Sequence, residues 1–228
     1  MSLHDALRSA ALPAWEAYTR HAFVRGLATG ALPRESFLRY LRQDYVFLIH
    51  FSRAWALAAV KTDRIEEMRL AAATVNALIG EEIELHIQTC AGEGIDHATL
   101  AATVEAGPTL AYTRFVIDAG LAGDLLDLLV ALAPCVQGYA EIGTALAAEV
   151  AAADGRVPAD HPYRGWIETY AGADYQGAAA AAGRLTETVA ARTIGPVPAA
   201  SPRWPDLHRR FEAACRLEAD FWQHGLTG

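Results

Sequence analysis

Three short stretches hold residues whose types and spacing suit chemistry. In LAPCVQGYAEIG, residues 132–143, a proline precedes Cys135 and a tyrosine, Tyr139, follows it by four residues. A proline inside a helix removes one backbone hydrogen bond and crowds the preceding turn, at a cost of about 3 kcal/mol. Pro134 within an otherwise apolar helix therefore suggests a bent wall beside a cavity, with Gly138 adding space. Residues i and i+4 share a helix face, which sets the Cys135 thiol beside the Tyr139 phenol. A nucleophilic cysteine is one reading, and an inert cysteine in a kinked core helix is the other.

Two carboxylates stand among aromatics. Asp44, in QDYVFLIHF, has Phe47 and Phe51 one and two turns on. A carboxylate near an apolar stripe needs a partner. That partner is either a bound ligand or a neighbouring cation such as Arg42. Glu218, in RLEADFWQH, has Phe221 and Trp222 a turn away. Apolar surroundings raise a carboxyl pKa toward the range of a proton-transferring group; a solvated glutamate on an amphipathic helix is the alternative. Tyr112 and the trio Tyr163, Trp166 and Tyr170 read as core stripes or as the lining of a polar pocket, since a buried phenol needs a hydrogen-bond partner.

Other chemistries find less support. Glu82 and His86 are spaced i,i+4 and read as an ion pair on a helix surface. The Glu-x-x-His pattern of di-iron bundles does not occur. No glycine-rich phosphate loop and no Gly-x-Ser-x-Gly elbow is present. Cys90, Cys135 and Cys215 are odd in number and far apart, which excludes a disulfide framework and a Cys-x-x-Cys metal pattern.

The elements that must position these residues are helical almost throughout. The patterning predicts a first helix from a Ser2 cap to about Ala28, bent near Pro13. A second follows Pro33 and runs to about Lys61. A third starts at Thr62 or Asp63 and ends near Ala91, before Gly94. A short helix over His97–Glu105 and another over Ala111–Leu121 precede a long apolar helix from Leu125 to Ala153. The loop DGRVPADHP separates it from the helices YRGWIETYAG and DYQGAAAAAGRLTETVAAR. A proline-rich connector leads to a last helix over Pro205–His224. These elements form an all-α single-domain bundle spanning residues 1–228, with roughly ten helices.

Composition fits that class. The 228 residues are 53% hydrophobic and 20% charged, enough for one sizeable core. A net charge of −8 argues against binding nucleic acid or an anionic membrane surface. The most apolar run, Leu125–Val136, is a dozen residues, contains Asp127 and is too short for a membrane span. The start of the chain lacks the pattern of a secretory leader, so a cytoplasmic location is expected.

Taken in order, QDYVFL, ELH, AYTRF, LAPCVQGYAEIG, HPYRGWIETY and FEAACRLEADFW resemble the TenA family, the thiaminase II enzymes. The likeness runs nearly the whole chain, and Pro-Cys-x-x-Gly-Tyr is its most specific element. It implies a haem-oxygenase-like helical fold without haem, a homotetramer, no metal or organic cofactor, and a role in thiamin salvage. The implied reaction cleaves the bond between a pyrimidine's exocyclic CH₂ and its leaving group. The substrate is thiamin or 4-amino-5-aminomethyl-2-methylpyrimidine, and the product is the hydroxymethyl pyrimidine. By the same resemblance Cys135 is the nucleophile, Glu218 moves protons and Asp44 binds the aminopyrimidine. Tyr112, Tyr139 and Tyr163 line the pocket, and Trp222 sits against the glutamate. Phe47 stands where the family usually has tyrosine, so a phenolic hydroxyl is lost and the substrate choice is opened. A cofactor oxidase or oxygenase on the same fold, or a pyrimidine-binding or regulatory protein, is the rival expectation.

Overall fold

The computed structural model describes residues 1–152 and 155–228. It contains twelve α-helices and no strand among them. The expected first helix is three short ones: α1 (Leu3–Ala10), α2 (Leu12–Thr19) and α3 (Ala22–Thr29). Ser2 caps α1 by accepting the Asp5 amide. The break at Ala11 lets α2 restart with Pro13 in its first turn, where its missing N–H costs nothing. Gly30, at φ +70°, ends α3 in the left-handed conformation that glycine adopts without strain.

Helix α4 (Arg34–Val60) follows Pro33 as its N-cap residue. The third expected helix is interrupted. It consists of α5 (Ile65–Ala77), a π-helical turn (Leu78–Glu82) and α6 (Ile83–Gly92). Helix α7 (His97–Ala101) stops short of the expected Glu105, and α8 (Gly107–Ala122) starts earlier than expected because Pro108 fits its first turn. Helix α9 (Leu125–Val150) is opened by a reciprocal cap between Asp124 and Asp127. Its expected end at Ala153 lies outside the described residues. Helices α10 (Arg164–Ala171), α11 (Ala173–Ile194) and α12 (Trp204–Thr227) complete the bundle, with a 3₁₀ turn at Pro198–Ala200.

Helix α9 is the central strut and packs against α8, α10, α11 and α12. It is long and apolar enough to cross a membrane, but 72% of its most apolar window is buried inside the protein, as suits a core helix. Close approach is bought at two glycines. A Cβ on Gly138 would lie 2.2 Å from the Tyr18 ring, and one on Gly143 would lie 2.5 Å from the Tyr170 backbone. Helices α2 and α10 therefore approach α9 more nearly than a side chain would allow. Helix α4 lies across the bundle against α5, α8 and α12. Its residues Tyr40, Asp44, Phe47 and Phe51 are spaced to share one face, and all are buried. Trp222 of α12 fills the middle, stacked on Phe23 at 4.7 Å and tilted against Tyr139 at 5.3 Å.

Candidate active site

A cavity of about 690 Å³ opens between α4, α5, the π turn, α9, α10 and α11. That falls within the range of about 300–1,000 Å³ typical of small-molecule sites. Asp44, Glu82, Cys135, Tyr139 and Tyr170 are among its polar lining, with Glu81, Glu168 and Asp174 also on it, and Phe47, Phe51, Trp55, Leu70 and Leu78 supply much of its apolar surface. Among the described residues, no group of three or more His, Cys, Asp or Glu side chains is placed to hold a metal ion.

Asp44 is 3% exposed and its partner is not Arg42, which is exposed. Its Oδ2 accepts the Tyr40 hydroxyl at 2.9 Å and lies 2.7 Å from His86 Nε2. The Trp166 indole N–H donates in turn to the Tyr40 oxygen at 3.2 Å. His86 Nδ1 lies 2.8 Å from the Glu82 carbonyl oxygen. Both ring nitrogens thus face oxygen atoms, and Nε2 pairs His86 with the Asp44 carboxyl. Burial works to lower the His86 pKa, but the hydrogen bond and charge of Asp44 outweigh it and raise it. With Oδ2 so occupied, Oδ1 is left for a ligand.

The expected surface ion pair between Glu82 and His86 is therefore corrected. His86 is 4% exposed and points inward to Asp44, while the Glu82 side chain accepts the Tyr170 hydroxyl at 2.9 Å. The i,i+4 spacing was visible in the sequence, but the π turn that rotates these residues inward was not.

Glu218 is 1% exposed, which removes the alternative of a solvated glutamate. Its Oε1 accepts the Tyr112 hydroxyl at 2.8 Å, and its carboxyl is a near neighbour of the Cys135 thiol. Burial pushes the Glu218 pKa up to about 8, against the lowering effect of those two neighbours. Burial likewise drives the Cys135 thiol well up, reinforced by the Glu218, Glu82 and Asp44 carboxyls that face it. Cys135 rests as a thiol beside the Glu218 carboxyl. Cys90 and Cys215 are fully buried and do not reach the cavity.

Of the other expected site residues, Tyr139 and Phe47 stand on the cavity wall. Tyr112 and Trp222 lie behind it: Tyr112 holds Glu218, and Trp222 backs Tyr139. Tyr163 is not in the pocket, which corrects the expectation for it. It precedes α10, its hydroxyl donates to the Leu32 carbonyl, and its ring lies 4.9 Å from Phe37. Two turns later Tyr170 takes the place on the wall. Tyr175 joins it there, a lining residue that no pattern in the sequence singled out.

Comparisons with known proteins agree with this architecture. The family model for the TENA/THI-4/PQQC family matches residues 8–228. An aminopyrimidine aminohydrolase from Halalkalibacterium halodurans is 32% identical over 223 residues, covering 97% of this chain and 94% of the relative. An uncharacterized protein from Haemophilus influenzae is 37% identical over 216 residues, covering 95% of each. A crystal structure described as a TenA family transcription regulator from Silicibacter sp. TM1040 superposes with a TM-score of 0.92 at 54% identity, covering 99% of this chain and 96% of that one. The chain belongs to the TENA/THI-4/PQQC family and has the haem-oxygenase-like helical fold of TenA proteins.

Proposed function

We propose that the protein is a cytoplasmic hydrolase of the thiaminase II type. It acts on 4-amino-5-aminomethyl-2-methylpyrimidine or thiamin and passes through a covalent adduct on Cys135. The observation that carries this reading is the placing of Cys135 and Asp44 on one cavity, with the buried Glu218 carboxyl acting on the thiol. The 32% identity to an aminopyrimidine aminohydrolase supports the substrate class.

The chemistry follows from the residue types. Asp44 Oδ1 accepts hydrogen bonds from the 4-amino group, and Phe47 and Tyr139 flank the flat ring. Glu218, protonated at neutral pH, gives its proton to a ring nitrogen as it takes the thiol proton of Cys135. Sulfur bonds to the ring carbon beside the substituent as that nitrogen becomes N–H. The added electron density then expels the leaving group from the exocyclic carbon. Water adds there and loses a proton. The carbon–sulfur bond breaks, the ring nitrogen gives its proton back, and the thiol is restored. One hard displacement becomes several easier steps. Because the proton moves between thiol and ring through one carboxyl, no free thiolate accumulates, which suits a thiol whose pKa is raised.

Phe47 offers an aromatic face without a hydroxyl, so water and leaving group take their hydrogen bonds from other wall residues. The family resemblance also suggests a homotetramer, which sedimentation would report as four times the 24.5 kDa chain mass.

The test is turnover of the aminomethyl pyrimidine followed by ammonia release. Cys135→Ser is expected to lower kcat by at least tenfold, on the scale of a lost covalent route. Ammonia release unaffected by that substitution would refute the adduct. Parallel assays with thiamin rank the two substrates.

A further inference from the structure

The mechanism above assigns no role to Glu82, although its carboxyl stands on the cavity wall. Glu82 closes the π-helical turn between α5 and α6. Such turns insert one residue into the helix and are frequent at functional sites. One residue of helix corresponds to about 100° of rotation, so without the insertion Glu82 and His86 would not hold their present positions relative to α5. The Glu82 backbone carbonyl holds His86 Nδ1, and His86 Nε2 holds Asp44. Among the described residues the Glu82 side chain accepts one hydrogen bond, from the Tyr170 hydroxyl at 2.9 Å. Among the described residues no lysine or arginine lines the cavity, and His86 is paired with Asp44.

Ring geometry then says what faces Glu82. On the substrate the substituent at ring position 5 lies between the 4-amino group and the carbon that sulfur attacks. Asp44 takes the first and Cys135 bonds the second. Glu82 is tied to Asp44 through His86, and its charge also acts on Cys135. It therefore borders the position of the exocyclic carbon.

Resting on the reaction proposed above, we infer that Glu82 is the binding site for a cationic leaving group. Its carboxylate pairs with the ammonium on the exocyclic carbon and afterwards accepts a proton from the water that replaces it. The balance closes. The carbon–nitrogen bond breaks with its electron pair on nitrogen, so –NH₃⁺ departs as NH₃. Water oxygen bonds to the carbon and its proton passes to Glu82. The departing ammonia removes that proton as NH₄⁺ and leaves the carboxylate ready again. Burial holds the empty carboxyl's pKa up to about 7, which lets it ionise against a bound cation and still take a proton from water. The substrate class singled out is thus a pyrimidine carrying a protonated amine.

Calorimetric titration of the full chain carrying Cys135→Ser, which blocks turnover, tests this. The probes are the aminomethyl pyrimidine and its neutral hydroxymethyl counterpart, and the alcohol is also titrated into the unsubstituted protein. Adding Glu82→Gln, which keeps an acceptor for Tyr170, is expected to weaken the amine at least tenfold and the alcohol less than twofold. Glu82→Asp, which keeps the charge, should restore at least part of the preference and shows that a folded site is being compared. If Glu82→Gln weakens the amine no more than the alcohol, the role of Glu82 is overturned while the pyrimidine reading stands. If neither compound binds with Glu82 in place, the pyrimidine reading fails and this inference falls with it.

Discussion

The two walls of the cavity are built in opposite ways. The wall from α4, α8, α9 and α12 is a dense aromatic lattice. Trp222, Tyr139, Tyr112 and Phe47 lie within ring contact of one another or of shared neighbours, and Glu218 is sealed among them. The wall from α5, the π turn and α11 is thin. Its cavity surface is largely small residues such as Ala73, Ala77, Ala179 and Ala182, and the Arg192–Glu67 ion pair ties its two helices together. The dense wall fixes the reacting groups, because close packing leaves side chains one arrangement. The alanine wall leaves volume, which under the proposed reaction accommodates leaving groups of different size. Rigid chemistry and permissive recognition are thus segregated across one cavity.

The largest expected effect concerns the sealed carboxyl. Glu218 ionises near the ordinary 4.5 when unfolded but near 8 when folded. Its contribution is full below pH 4.5 and is lost as pH rises toward 8, because the folded state then holds a proton that the unfolded state has released. Glu218→Gln should therefore gain on the unsubstituted protein by about 4 kcal/mol between pH 5 and pH 9, read from urea midpoints. A flat difference would mean that the dense wall does not exclude water from Glu218.

Kinetics sharpen the same wall. In the proposed mechanism Cys135 and Glu218 act as one unit, so Glu218→Gln should cost at least tenfold in kcat, and adding it to Cys135→Ser should cost little more. Additive losses would separate the two roles. On the alanine wall, Ala77→Leu fills space without touching the reacting groups. It should reduce kcat/KM for thiamin about fivefold more than for the smaller aminomethyl pyrimidine, since overpacking selects against bulk. Equal losses would show that the wall repacks as a whole. The smallest effect is expected outside both walls. Tyr163→Phe removes the hydrogen bond to Leu32, costing about 0.5 kcal/mol in stability, with no change in kcat.

Much of the fold was legible from local pattern, and so was part of the site. The i,i+4 relation of Cys135 and Tyr139 held because it lies within one helix. The aromatic setting of Glu218 was correctly suggestive, since Phe221 and Trp222 are its own neighbours along α12. Tyr163 and Tyr170 were harder to tell apart. Both are tyrosines of one short segment, and only the docking of α10 on α9, through the gap at Gly143, turns Tyr170 toward the cavity. Glu82 and His86 were misread because helical spacing assumes a regular helix, and the π turn breaks that assumption where it matters.

The sequence by itself determined that the chain is helical, which stripes are apolar, and that a thiol and a phenol share a face beside a proline. Those are consequences of periodicity and side-chain type, which act over a few residues. The tertiary structure alone decided which carboxyls meet the thiol, that His86 bridges Asp44 to the backbone of Glu82, and which tyrosine reaches the pocket. Those depend on how separate helices rotate and approach, and that is set by packing between residues far apart in the chain.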